Sequence, residues 1–243
     1  MSLKGVILAG GLGSRLMPLT KVTNKHLLPV FDRPMIHFPI ECLVKGGVTD
    51  VLVVTGGDSA GHFLKLLGDG REFGARLVYA YQQGEGGIAD ALRLAEAFVA
   101  GGRMVVVLGD NLVQRSIRPS VERFLQQRRG ARILLKRVPD PQRFGVAVVD
   151  GGRVTSIVEK PQRPPSDLAV TGIYFYDAQA FDIIRTLRPS GRGELEITDV
   201  NNAYLARGEL EWDELHGWWS DAGTFESLYK ASTLVREGGA NNG

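Results

Sequence analysis

The 243-residue chain holds a single cysteine, Cys42, which excludes an intramolecular disulfide and any multi-cysteine zinc site. Its four histidines (His26, His37, His62 and His216) lie far apart, in no metal-ligand or triad spacing. No apolar run approaches the ~18 residues that a membrane helix needs. An excess of either charge is missing too: 29 Lys and Arg face 27 Asp and Glu, a net of +2. That field is too weak to hold nucleic acid or an anionic membrane, so recognition of phosphate must be local, through a few placed cations. Repeats and low-complexity linkers are also lacking. With 44% hydrophobic and 23% charged residues, the composition excludes a disordered, collagen-like or disulfide-stapled chain. The length suits one large domain or two small ones, with a core that needs no staple.

What is present is a rhythm of short apolar, β-rich runs at residues 6–9, 51–54, 77–81, 104–108 and 133–135. Stretches of helical period alternate with them at 35–45, 88–99 and 121–127, the last with Val121, Phe124 and Leu125 on one face. This alternation predicts an α/β fold with a mostly parallel sheet flanked by helices. After Arg137 the rhythm changes. Residues 146–149 and 154–158 read as a hairpin around Asp150-Gly151-Gly152, and 168–176 as another strand. Helices follow near 178–187, 197–207 and 226–236, so the second half reads as α+β. The terminal 238–243 reads as a flexible tail. Lys4 ahead of the apolar Gly5-Val6-Ile7-Leu8-Ala9 has the look of a signal segment, but glycines interrupt it and Arg15 follows. A buried strand entering a glycine loop is the better reading, and a cytoplasmic location is expected.

That loop, Gly10-Gly11-Leu12-Gly13-Ser14-Arg15, would let backbone N–H groups approach phosphate oxygens, with Arg15 as a forked cation beside them. No Gly-Lys-Ser/Thr follows, so it is not a Walker loop, and Leu16 stands where a dinucleotide fingerprint needs its third glycine. A tight strand-to-helix turn is the plainer alternative. Lys25 sits where polar residues give way to Leu27-Leu28-Pro29-Val30, at an entry to the core. Asp110 follows the apolar run 104–108, at the strand end where α/β sheets bind ligands. A carboxylate there can hold Mg²⁺, although it could also cap a helix. Asp221 follows an aromatic strand and could equally cap the helix after Thr224. Trp212, Trp218 and Trp219 read as packing residues, and Cys42 as a helix-face core residue.

Taken in order, Gly10-Gly11-Leu12-Gly13-Ser14-Arg15, Lys25 with Leu28-Pro29, Leu108-Gly109-Asp110-Asn111, Glu159-Lys160-Pro161 and Trp219-Ser220-Asp221-Ala222-Gly223-Thr224 resemble the sugar-1-phosphate nucleotidylyltransferases. The segments beginning at Val170-Thr171-Gly172-Ile173 and Gly193-Glu194-Leu195-Glu196 resemble the glucose-1-phosphate thymidylyltransferases among them. The resemblance implies a Rossmann-like nucleotidyltransferase fold, one domain over 1–237 with a nucleotide-binding part to 137 and a sugar-phosphate-binding part from 138. It implies that Leu8, Gly10, Gly11, Gly13, Ser14 and Arg15 hold a nucleoside triphosphate, with Gln82 and Gly87 at the pyrimidine base. Asn111, Gly145, Glu159, Lys160, Val170, Thr171 and Arg192 would hold the sugar phosphate, and Asp110 and Asp221 a Mg²⁺ ion. Arg15, Lys25 and Lys160 would be the catalytic cations. Phe144 stands where the family usually has Tyr, and Gln83 where Pro is common. Larger members continue past the last helix with further helices that build part of a regulatory nucleotide-sugar site.

The implied reaction joins dTTP and glucose 1-phosphate into dTDP-glucose with release of pyrophosphate. UTP, CTP or another sugar phosphate is the alternative within enzymes, and a catalytically silent sugar-nucleotide sensor the alternative outside them. No nucleic-acid or membrane partner is expected, and self-association into a homo-oligomer stays open. A phosphate monoester with a second pKa near ~6 is largely a dianion at neutral pH, so the attacking oxygen needs no general base. The obstacle is bringing two polyanions together, which calls for cations and Mg²⁺. His26, beside Lys25, is the histidine whose ordinary pKa could still compete for a proton role.

Overall fold

The computed structural model describes residues 3–11 and 13–243; Leu12, within the glycine loop, and Met1 and Ser2 lie outside that set. Strand β1 (Lys4–Ala9) is followed by three single-turn 3-10 segments and a small hairpin, β2 (Pro29–Val30) with β3 (Arg33–Pro34). Helix α1 (His37–Lys45) leads to β4 (Asp50–Gly56), α2 (Ala60–Leu67), β5 (Arg76–Gln82), α3 (Ile88–Arg93), α4 (Glu96–Val99) and β6 (Met104–Leu108). The chain continues through β7 (Leu112–Val113), α5 (Arg118–Gln126), β8 (Ala131–Arg137), β9 (Gly145–Asp150), β10 (Arg153–Glu159) and β11 (Leu168–Tyr176). It ends with α6 (Gln179–Thr186), α7 (Ile197–Ala206), β12 (Leu210–Glu214), β13 (Trp219–Ser220) and α8 (Phe225–Gly238).

Among the described residues, one nine-stranded sheet runs β10-β9-β11-β6-β1-β4-β5, with β8 on β11 and β12 on β8. Strands β6, β1, β4 and β5 are mutually parallel, as the alternation of apolar runs and helices requires. The second half adds the antiparallel strands β11, β9 and β10, with β12 parallel to β8 at the far edge. Period-two alternation divides β1 between the two faces. Val6 and Leu8 enter a core roofed by α3, α6 and α7, while Ile7 and Ala9 enter one formed with α1, α2 and α5. Burial on both faces explains why these strands read as unbroken apolar runs. The expected α/β architecture, an α+β half laid on a parallel half, is the one observed.

Several expectations are corrected. Leu125 is 53% exposed, so α5 buries only Val121 and Phe124 of the three residues assigned to its inner face. The helix expected over 88–99 breaks at Leu94 and Ala95, whose N–H groups bond three residues back and tighten the turn. Helix α2 and strand β12 escaped the sequence pattern, α2 because it is short with Gly61 in its first turn and β12 because three of its five residues are charged. The tail expected to be flexible is docked: Asn241 is buried, its N–H donates to Val113 O at 2.9 Å and its Nδ2 to Phe38 O at 3.1 Å. Asn242 N then donates to Gln114 O at 2.7 Å. Backbone pairing and a buried amide hold a segment whose glycines and asparagines read as loose.

Candidate active site

The C-terminal ends of β1, β5 and β6 open into a cleft of about 350 Å³, closed on its other side by β9, β10, β11 and the start of α7. It sits outside the carboxyl ends of parallel strands, where the backbone turns away from the sheet and leaves a crevice. The cleft brings together Leu8 near the end of β1, Gly10, Gly11 and Arg15 after it, then Lys25, and Gln82 and Gly87 around the end of β5. Facing them are Asp110 and Asn111 after β6, Gly145, Glu159, Lys160 and Val170 from the second half, and Asp221 after β13.

Lys25 and Asp110, 85 positions apart, form an ion pair at 2.5 Å with side chains only 14% and 12% exposed. Burial pushes the Asp110 carboxyl up, but the Lys25 charge and the bonds from Lys25 and Asn111 hold the group below its ordinary value. Gly13 makes the pair possible. It turns with φ of 68°, and a Cβ there would stand 2.9 Å from the Lys25 Cβ and from the Thr20 methyl. Gly13 and Ser14 themselves do not line the cleft; Gly13 backs Lys25, and Ser14 opens the 3-10 turn that carries Arg15.

Asn24 ties this corner to the glycine loop. Its Nδ2 donates to the carbonyl oxygen of Ala9 at 3.3 Å, and its Oδ1 accepts from His26 N at 2.9 Å. The same oxygen lies 2.7 Å from His26 Nδ1, a contact that fixes a proton on that nitrogen, since an amide oxygen only accepts. Burial, with Lys25 beside it, lowers His26 to about 3. The imidazole is therefore neutral through the working range of an enzyme, and the ordinary value expected from sequence does not apply.

Asp221 accepts from Arg143 Nη2 at 2.8 Å. Burial and the nearby Asp110 charge raise its carboxyl above the ordinary value, against the pull of Arg143 and Arg15. The capping alternative for Asp221 is removed, because Thr224 caps α8 through a capping box with Ser227. Asp110 caps no helix either, since the short strand β7 follows it. Asn111 joins the walls: Oδ1 accepts from Gly172 N at 2.9 Å and Trp219 Nε1 at 2.7 Å, while Nδ2 donates to Asp110 Oδ1 at 2.9 Å. Trp219 therefore lines the cleft as well as packing, with its ring 4.9 Å from that of Phe144.

On the opposite wall Glu159 accepts from Thr198 Oγ1 at 2.6 Å, and Lys160 holds a positive φ of 40° that few non-glycine residues adopt. Two expected residues do not reach the cleft surface. Thr171 is fully buried and its hydroxyl donates to Leu134 O at 3.0 Å, because its neighbours Val170 and Gly172 point into the cleft and alternation turns it away. Arg192 stands behind the lining, bonded to Glu196 at 2.8 Å and to Glu159 at 3.2 Å.

A model of the family described as nucleotidyl transferase matches residues 4–238. The chain belongs to that family. A glucose-1-phosphate thymidylyltransferase of Actinoplanes sp. is 47% identical over 238 residues, covering 96% of this nucleotidyl transferase and 78% of the relative. The enzyme of that name from Neisseria gonorrhoeae is 44% identical over 238 residues, covering 96% of this chain and 83% of its own. A crystal structure of a Bacillus anthracis protein designated a glucose-1-phosphate thymidylyltransferase, in complex with sucrose, superposes with a TM-score of 0.94 at 52% identity, covering 97% of this chain and 96% of that one. A UDP-glucose pyrophosphorylase bound to UDP-glucose, 22% identical with a TM-score of 0.84, shares the fold. Among the described residues of this nucleotidyl transferase, no helix is long and apolar enough to cross a membrane.

Asn24, Asp90, Arg143 and Thr198 are among the polar residues at the site that sequence reasoning passed over. Each acts by contact with a residue already singled out, and only the His26–Asn24 spacing was local enough to be noticed.

Proposed function

We propose that this nucleotidyl transferase joins dTTP and glucose 1-phosphate, giving dTDP-glucose and pyrophosphate. The observation that carries the reading is one cleft that gathers Arg15, Lys25, Asp110 and Asp221 with Gly145, Glu159 and Lys160. The names of relatives 40% and more identical over nearly the whole chain supply the substrates. The cations draw two polyanions into line, and the sugar phosphate dianion attacks the α-phosphorus without surrendering a proton to the protein.

Asp110 and Asp221 suit Mg²⁺. Both are carboxylates, and the Asp110 charge raises the Asp221 carboxyl. Among the described residues no cluster of three or more potential ligand side chains occurs, which fits an ion completed by substrate phosphates and water. When bound, Mg²⁺ would supply neutralisation of phosphate charge. The phosphorylated substrates cross membranes poorly, and that supports a cytoplasmic site of action.

Pyrophosphate release with dTTP, UTP, CTP, ATP and GTP, crossed with several sugar 1-phosphates, tests the assignment. The expected best pair is dTTP with glucose 1-phosphate, UTP being second among nucleotides. ATP or GTP as the preferred nucleotide would sink it. A second measurement addresses the absence of a protein base. The kcat/KM for the sugar phosphate is expected to fall as pH drops toward the substrate's own pKa of ~6, and a fluorinated sugar phosphate of lower pKa should move that limb to lower pH. His26→Gln should leave the limb where it is, since His26 sits at about 3. A limb that vanishes with His26 and ignores fluorination would require a protein base.

A further inference from the structure

Gln82 closes β5 and is 7% exposed in the cleft wall. Its Nε2 donates to Asp90 Oδ2 at 3.1 Å and to the carbonyl oxygen of Gly87 at 3.5 Å. A carboxylate and a carbonyl can only accept, so both Nε2 hydrogens are committed within the protein. Turning the amide over would set Oε1 against Asp90 Oδ2, lone pair to lone pair. Oε1 is instead directed to the glycine loop, where a Cβ placed on Gly10 would stand 2.7 Å from it. Gln82 therefore offers the cleft an acceptor and no donor.

Asp90 is itself held in place. Its Oδ1 accepts from Arg93 Nη2 at 2.8 Å, one turn along α3. Its Oδ2 occupies space that only glycine at position 86 leaves open, since a Cβ there would stand 2.4 Å from that oxygen. We propose that Asp90 is a positioning residue for base specificity. By fixing the polarity of the Gln82 amide, it selects nucleotides whose base carries a hydrogen on N3, thymine and uracil, against cytosine, whose N3 is a bare acceptor. The inference rests on the reading above, in which Gln82 faces the base, and extends it to a residue that touches no substrate.

The test compares kcat/KM for dTTP and dCTP, with glucose 1-phosphate, in the wild type, Asp90→Asn and Asp90→Ala. In Asp90→Asn, Arg93 claims the remaining side-chain oxygen and the new NH₂ faces Gln82. The Gln82 amide then turns, and its own NH₂ faces the base. The dTTP:dCTP ratio is expected to fall about tenfold or more in Asp90→Asn, and by less in Asp90→Ala, where only the long bond to the Gly87 carbonyl still orients the amide. A purely structural role would lower both nucleotides alike and leave the ratio standing. If Asp90→Asn does not fold, by its thermal melt, the ratio in Asp90→Ala decides. A ratio within threefold of wild type in the folded variants overturns the inference while leaving the thymidylyl-transfer reading intact. A wild type that does not use dTTP overturns that reading, and this inference with it.

Discussion

Asp221→Asn should lower kcat about 10²–10³-fold while the unliganded protein melts at or above the wild-type temperature. The two effects have one origin. Burial and the Asp110 charge raise the Asp221 carboxyl, so its ionised form costs folding free energy at neutral pH. Removing the charge relieves that cost in the empty protein and takes from the working one a carboxylate proposed to hold Mg²⁺. Asp110→Asn should lower kcat by a similar factor with the opposite effect on stability. Asp110 is held below its ordinary value, and Asn would leave the Lys25 ammonium buried with a weaker partner. Thermal melts with steady-state kcat for the two variants check this. Near-normal turnover in Asp221→Asn would show that its carboxylate serves no part of the reaction, whatever the melts show.

The parallel half of the fold was legible because each strand is apolar on both faces and bounded by Gly, Asp or a polar turn. The run at residues 104–108 appears unchanged as β6. Strand β12 was not legible, since Leu210-Glu211-Trp212-Asp213-Glu214 carries its pairing in the backbone and three of its five residues are charged. At the site, residues in short ordered motifs were readable, and contacts across the fold were not. Nothing near Arg143 in sequence announces Asp221, 78 positions away, and nothing near Gln82 announces that a carboxylate sets its amide. Thr171 shows the converse. Its motif is recognisable, yet strand alternation turns its hydroxyl toward Leu134, and only coordinates reveal which face a strand presents.

Lys25→Met is the substitution with the broadest expected consequences. It should reduce kcat/KM about 10³-fold, because the cation proposed to act on the reacting phosphates is gone. It should also reverse how pH acts on stability. In the wild type, the Asp110 carboxyl lies below its ordinary value of 3.8; its contribution is present above that value and lost as pH falls through the lower folded value. Without Lys25, burial, the largest single influence on Asp110, acts unopposed by its main partner and drives the carboxyl upward. The ionised group then costs stability at pH 7, about 3–5 kcal/mol for a broken buried pair, and acidification relieves the cost as the carboxyl takes up a proton. Urea midpoints from pH 7 to pH 5, without nucleotide or divalent metal, should therefore rise in Lys25→Met relative to the wild-type curve. Adding Asp110→Asn should restore most of the pH 7 loss, since the orphaned charge is removed along with its cause, and the two substitutions should be strongly non-additive. Midpoints that track the wild type across this range, or an additive double variant, would mean that Lys25 and Asp110 are not coupled, and the charge balance drawn for the cleft would have to be redrawn.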